Sequence, residues 1–373
     1  MFRMQIQSKK KCIWYCSAAV SFLLFLLLNL WCDHLVNMQD AQQMAGRWSE
    51  KKDVAQISCF FSSKAEVTED TIQSFEYSLK NVLQEASITE TSENPSARLW
   101  VDAYSADGKI TLVNGRNTLD ANAIGIGGDF FLFHPLKLIT GSYFSGNDLM
   151  QDYCIIDQDA AWQLFGSNDV VGMTVYIGNV PHIVTGVVRR PQGRMEKAAG
   201  LTSTVVYVSY ETLEAYGTNN GINHYEIVMP NPVDEFAYGK VKEGIGIDEK
   251  NVEIVENSRR YSLPNRIKTI LAFGTRSMNG KAIIYPYWEN LARGYEDIIA
   301  LLTVFMLFLL LYPVVTVIWC FVHWWRHKGW TLKEVWHTGK DKAERAVERR
   351  REKKHPHKEL SLIHISEPTR LRC

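Results

Sequence analysis

The sequence lacks the signatures that mark most enzymes. No CxxC pair occurs among its seven cysteines, so neither a zinc ribbon nor a dithiol redox site is supported. No Gly-x-Ser-x-Gly elbow is present, and the carboxylates show no spacing that singles out a pair. The nearest approach to a phosphate loop runs from Gly274 to Ala282. It has five residues between its glycines instead of four, and Ala282 stands where a magnesium-binding hydroxyl belongs. His34, His134, His182 and His224 are far apart and show no ligand spacing, so neither a metal nor a cofactor is expected. Net charge is also absent, with 41 Lys and Arg against 41 Asp and Glu. No nucleic-acid partner is expected.

What is present is two long uncharged runs. Residues 13–32 are 20 apolar or neutral residues, and residues 298–322 are 25. A 20-residue helix covers about 30 Å, one bilayer core. The first run is longer than the apolar region of a signal peptide, and the bulky Trp31-Cys32-Asp33-His34 flank is no cleavage site, so an uncleaved anchor is expected. Lys9, Lys10 and Lys11 precede the first run; Arg326, Lys328 and Lys333 follow the second. Basic residues gather on the cytoplasmic side, which places both ends inside and residues 33–297 outside. Trp14, Tyr15, Trp31, Trp319, Trp324 and Trp325 suit interfacial belts. Pro313 is expected to kink the second helix, and His323 and His327, four apart near its end, form an interfacial pair. Of the cysteines, only Cys59 and Cys154 fall clearly within the outer segment, as a disulfide or as two buried thiols.

The outer segment mixes strands and helices, which predicts an α+β domain, as one body or two subdomains. Residues 54–61 (VAQISCFF) read as a strand. Thr68 opens a helix to about Ala86 whose Ile72, Phe75, Leu79 and Leu83 share one face. Residues 97–104 and 109–113 read as strands around a Ser105-Ala106-Asp107-Gly108 turn, followed by a strand over 118–126 and a helical turn over 129–133. Residues 154–156 form a short strand; Asp157 caps a helix over 158–165 that ends at Gly166, with Ala161, Leu164 and Phe165 as its buried stripe. Strands over 173–177 and 182–187 flank a Gly178-Asn179 turn. A strand over 205–208, a helix over 211–216, a strand over 225–229, a helix over 234–242, a strand over 252–255 and a helix over 258–271 complete the segment.

One set of these residues carries a resemblance. Gly141, Phe144 and Asp148, then Asp159, Ala160, Leu164, Phe165 and Gly166, then Gly172 and Gly186, lie in the order and context of the extracytoplasmic core domain of MacB-type (FtsX-like) ABC transporter permeases. Ser142-Tyr143 departs from the family's Arg-x at the first turn. The resemblance implies a non-catalytic permease subunit whose outer domain is moved by its two flanking helices. It also implies a partner ABC ATPase on a separate chain, a homodimer or paired permease, and the lipid bilayer as surroundings. In the family the segment after the second helix meets the ATPase; here that points to Thr331, Leu332, Val335 and Trp336. A membrane-surface helix is the alternative for this stretch, where basic residues exceed acids.

The implied organisation is a cytoplasmic start (1–12), a first membrane helix (13–32), the outer core domain (33–297), a second membrane helix (298–322) and a basic cytoplasmic segment (323–359). Residues 360–373 resemble the translation of a sequencing adapter, so the coding sequence is expected to break off near Glu359. Permeases of the family carry four membrane helices, and this sequence has two. The alternative function is a membrane-anchored binding or regulatory module acting on a ligand or a cell-wall enzyme.

Overall fold

Long helices form where the apolar runs lie, and each continues past its run, whose flanking turns within the helix hold no proline. The computed structural model describes residues 2–49, 53–89, 98–276, 278, 280–327, 336, 339–347 and 349. Helix α1 is Phe2–Asn37. After a 3-10 turn, Asp40–Gln42, come α2 (Met44–Trp48), β1 (Val54–Phe61) and α3 (Glu69–Glu85). Next are β2 (Val101–Asn114), β3 (Asn117–Gly128), α4 (Phe130–Phe133), β4 (Leu138–Gly141), β5 (Tyr153–Asp157) and α5 (Gln158–Phe165). They lead to β6 (Thr174–Ile177), β7 (Val180–Val188), α6 (Arg194–Ala198), β8 (Val205–Ser209), α7 (Tyr210–Tyr216) and β9 (Thr218–Asn219). Strand β10 (His224–Pro230), α8 (Phe236–Gly244), β11 (Val252–Glu256), a 3-10 turn (Asn257–Arg259), α9 (Leu263–Ala272) and α10 (Tyr287–His327) follow. The mixed α/β outer segment and the two long apolar helices are those expected from the sequence.

The chain divides into two units, residues 23–309 and residues 1–22 with 310–373. In the smaller unit the Ser17 and Tyr312 hydroxyls lie 2.7 Å apart, and Trp14 meets Trp319 edge-on at 4.9 Å. Helix α10 runs through Pro313 without interruption.

In the larger unit a single sheet is ordered β11-β1-β10-β2-β3-β8-β5-β7-β4, with β6 bridging β2 and β7 and β9 added to β2. Alternation sorts its side chains onto two faces. From β1, Ala55, Ile57, Cys59 and Phe61 enter the main core, with Tyr225, Ile227 and Met229 from β10. Helix α3 covers that core with Ile72, Phe75, Leu79 and Leu83, the stripe its periodicity predicted. The opposite face holds a second core of Val101, Ala103, Phe130, Phe133 and Trp288. On that same face lie Gln56, Ser58, His224 and Glu226, all buried.

Two expectations fail here. Residues 105–108 are no turn: β2 runs straight through them, pairing Asp107 with Ile124 and Gly108 with Ala123, and the reversal comes at Gly115 (φ +61°). Gly108 serves contact instead, since a Cβ there would sit 2.4 Å from the Thr218 carbonyl oxygen. The single helix over 258–271 is instead a 3-10 turn and α9, separated at Arg260 and Tyr261, whose side chains turn inward. Cys59 and Cys154 are both buried free thiols; burial raises both, Cys154 up to about 12.

Candidate functional site

The densest buried polar chemistry lies where the sheet meets the two long helices. Arg260, placed by the 3-10 turn after β11, is 6% exposed, and Glu289, in the first turn of α10, is fully buried. They form a bidentate pair at 2.6 and 2.7 Å, the geometry that a planar guanidinium fits best. The same guanidinium donates to Glu296 about two turns further along α10, to Gln42 Oε1 beyond α1 (3.3 Å) and to Asn257 Oδ1 (3.3 Å). Burial works against its charge, and Glu289 outweighs that, so Arg260 is held above its ordinary value. Around it, Arg293 donates to Glu289 at 2.7 Å, and Arg276 pairs with Glu296 and, at 2.7 Å, with Asp297. Tyr261 donates to Gln39 Oε1 at 2.5 Å, joining the end of α1 to the same point.

The network continues into the sheet. Asn257 Nδ2 donates to Ser58 Oγ (2.6 Å), and Ser58 donates to Glu226 Oε1 (2.6 Å). Glu226 Oε2 is 2.7 Å from His134 Nε2, and its other oxygen is 3.4 Å from His224 Nε2. Burial pushes the Glu226 carboxyl up, but the two imidazoles outweigh it and hold it well below the usual carboxylate range. The sequence offered no hint of this cluster: His134 ends α4, His224 begins β10, and only the fold joins them. Their three ligand atoms lie within 4.8 Å of one another, so a divalent cation is chemically compatible with them. The direct 2.7 Å contact reads more simply as a buried carboxylate–imidazole pair, with His134 pushed below its ordinary value by burial, walled by Phe60, Phe130 and Trp288.

The residues of the sequence motif form a separate scaffold around β4, β5, α5 and β7. Asp157 caps α5 by accepting from the Ala160 N–H at 2.8 Å, and Arg190 bridges Asp157 and Asp159 at 2.9 and 2.5 Å. Ala160 and Leu164 are buried, while Phe165 is half-buried, so the stripe is Ala160, Ala161 and Leu164 with Phe165 at its margin. Gly166 ends the helix in the left-handed region, at φ +73°. Gly141 has φ +84°, and a Cβ on it would lie 2.1 Å from the Thr185 carbonyl oxygen. Phe144 packs edge-on against Phe131, and Asp148 closes its turn on the Ser145 N–H at 2.9 Å. Gly172 donates to the Val184 carbonyl at 2.8 Å, and Gly186 pairs with Gly141.

Among the remaining sequence candidates, Lys281 is tied to the Val252 carbonyl at 2.7 Å. Ser277 and Asn279 of the glycine-flanked string lie outside the described residues, as do Thr331, Leu332, Val335 and the tail over 360–373. Trp336 is described and exposed.

A family profile for the MacB-like periplasmic core domain matches residues 39–254. Macrolide export ATP-binding/permease protein MacB of Pasteurella multocida is 31% identical over 98 residues, 26% of this chain and 14% of that protein. The protein of the same name from Chromobacterium violaceum is 31% identical over 96 residues, covering 25% and 14%. The matched part thus spans about a seventh of those relatives. Among solved structures, the periplasmic region of MacB from Actinobacillus actinomycetemcomitans aligns with 60% of this chain and 94% of its own, at 19% identity and TM-score 0.37. The extracellular domain of the ABC-type transporter YknZ from Gram-positive bacteria aligns with 54% and 99%, at 18% identity and TM-score 0.35.

Proposed function

The chain belongs to the MacB-like periplasmic core domain family, and from that premise we propose that it is the membrane-spanning permease subunit of a MacB-type ABC transporter, driven by an ATPase on a partner chain. It is a membrane protein with an extracytoplasmic core domain and two candidate spanning helices. Residues 33–297 form the outer part in this reading, and 1–12 and 323–359 the cytoplasmic ends. Thr331, Leu332, Val335 and Trp336 supply the ATPase contact, and the permease works as a homodimer or in a pair.

The observation that carries the proposal is the Arg260 junction. One buried guanidinium holds the turn after α1, the end of β11 and the start of α10. A helix moved from its cytoplasmic end would pass that motion to the sheet, because slipping past the junction leaves a buried charge unpaired. The scaffold of glycine turns and the α5 cap would then move as a body.

The test is to purify the full chain from membranes of its source and identify what accompanies it. An ABC ATPase is expected, with hydrolysis that responds to the wild-type chain and responds less to Glu289→Gln. Recovery of a cell-wall enzyme with no ATPase would overturn the permease reading and support a regulatory module.

A further inference from the structure

Helix α9 is built inside out. Its polar Asn265, Arg266 and Thr269 are half-buried toward the protein, and it has no fully buried residue. Asn265 donates to the Arg259 carbonyl and Arg266 to the Tyr261 carbonyl. Leu263, Ile267 and Leu271, spaced to share one face, point away and are 59%, 45% and 82% exposed. Phe273 and Met278 continue the exposed apolar surface at 44% and 80%. A helix facing water carries the opposite pattern.

Both ends of α9 are fixed to particular levels of the long helices. Just before it, Tyr261 packs against the small core of Cys32, Leu35, Ile299 and Met306, and its hydroxyl lies 3.3 Å from the Ala292 carbonyl oxygen. Just after it, Arg276 pairs with Asp297, the last residue before the apolar run of α10. Ala292 and Asp297 are less than two helical turns apart, whereas α9 is about 15 Å long. Both anchors therefore hold α9 near the height where the apolar run of α10 begins. Charge fits the same place: no acid occurs between Glu256 and Glu289, whereas Arg266, Lys268, Arg276 and Lys281 do.

We propose that α9 lies in the outer leaflet of the bilayer, with Leu263, Ile267 and Leu271 among the acyl chains and Lys268 at the headgroups. An amphipathic helix in this position rests about 5–10 Å into the headgroup boundary. The inference rests on the reading that α1 and α10 cross the membrane. It adds that the outer domain has a third contact with lipid, which fixes its height over the membrane and restrains its tilt.

The test uses the full chain in liposomes, with Cys12, Cys16, Cys320 and Cys373 changed to Ser so that a single thiol reacts, and an environment-sensitive fluorophore on Ile267→Cys, Leu271→Cys, Leu26→Cys or Asn220→Cys, one at a time. All four positions avoid buried core, so folding should survive. Labels at 267 and 271 are expected to be blue-shifted and quenched by spin-labelled lipid, most strongly by a label near the headgroup. The label at 26 should be quenched best by a deep label, and that at 220 by neither. Quenching at 26 without quenching at 267 or 271 would overturn the α9 proposal alone. Failure at 26 as well would overturn the membrane reading beneath it. A blue shift at 267 that resists every lipid quencher would assign the face to a protein partner and refute the lipid assignment.

Discussion

Asn257 donates through Nδ2 to Ser58 Oγ across 199 positions of sequence, and this one bond joins two buried charge clusters. Ser58 has a single hydroxyl proton, which goes to Glu226, leaving its lone pairs to accept from Asn257. The Asn257 amide is fixed in turn, because its oxygen accepts from Arg260 while its nitrogen donates to Ser58. Glu289 on α10 and His134 beside the sheet are thus the ends of one ordered path.

Removing one end of that path should cost far more than removing a surface pair. Arg260→Met leaves Glu289 buried without its main partner and is expected to destabilise the protein by about 3–5 kcal/mol. Arg260→Met combined with Glu289→Leu should recover much of that loss. A double-mutant cycle in thermal unfolding of the detergent-solubilised chain measures the coupling, and additive losses would show that the two residues act independently.

The α5 stripe gives a graded prediction. Leu164 is 1% exposed, so Leu164→Ala should cost about 2–5 kcal/mol. Phe165 sits at the margin of the core, so Phe165→Ala should cost less despite the larger side chain removed. Equal losses in denaturant unfolding would place Phe165 in the core after all.

Glu76, on the face of α3 toward β2, titrates abnormally. Burial, with Asp102 beside it, raises its carboxyl from 4.5 to about 8. A raised carboxyl is held protonated by the fold, so its contribution is complete below about pH 4.5 and is lost as pH climbs through about 8. Glu76→Gln keeps the neutral form. It should raise the stability near pH 9 by about 1 kcal/mol after allowance for solvent screening, seen as a higher melting temperature, and change little near pH 5. An equal effect at both pH values would rule out titration as the cause.

Topology can be read with one thiol. Asn219 is half-buried and its side chain accepts from the Gly221 N–H at 2.8 Å, whereas the adjacent Asn220 is exposed. Asn220→Cys should react with an impermeant thiol reagent in intact cells. Labelling only after lysis would place the core domain inside.

Local signals were legible in the sequence and distant ones were not. The strand β1, the α3 stripe and the Asp157 cap with its Gly166 stop each depend on residues a few positions apart, and each stands where the pattern puts it. The false turn at Ser105 to Gly108 arose because Asp and Gly in sequence cannot say whether Gly serves a reversal or a close approach. Here it makes room for β9. The Arg260 junction was invisible for a plainer reason. Gln42, Ser58, His134, Glu226, Glu289 and the turn that carries both Asn257 and Arg260 come from six separate places, and no spacing rule links them. The neighbouring α9 hid because an inverted helix has the same period as an ordinary one.

The position of β1 bears on how the protein is made. It pairs on one side with β10, Val54 opposite Pro230, and on the other with β11, so both partners are translated long after it. Ser58 must wait for Glu226, 168 positions later. At about 5–20 residues per second that delay is on the order of 10–30 s, with both edges of an apolar strand unpaired. The β2–β3 hairpin closes on itself through Asn114 and Asn117 and can form during synthesis. The nascent chain therefore builds its sheet from the middle outward, and β1 needs shielding until β10 and β11 have crossed the membrane.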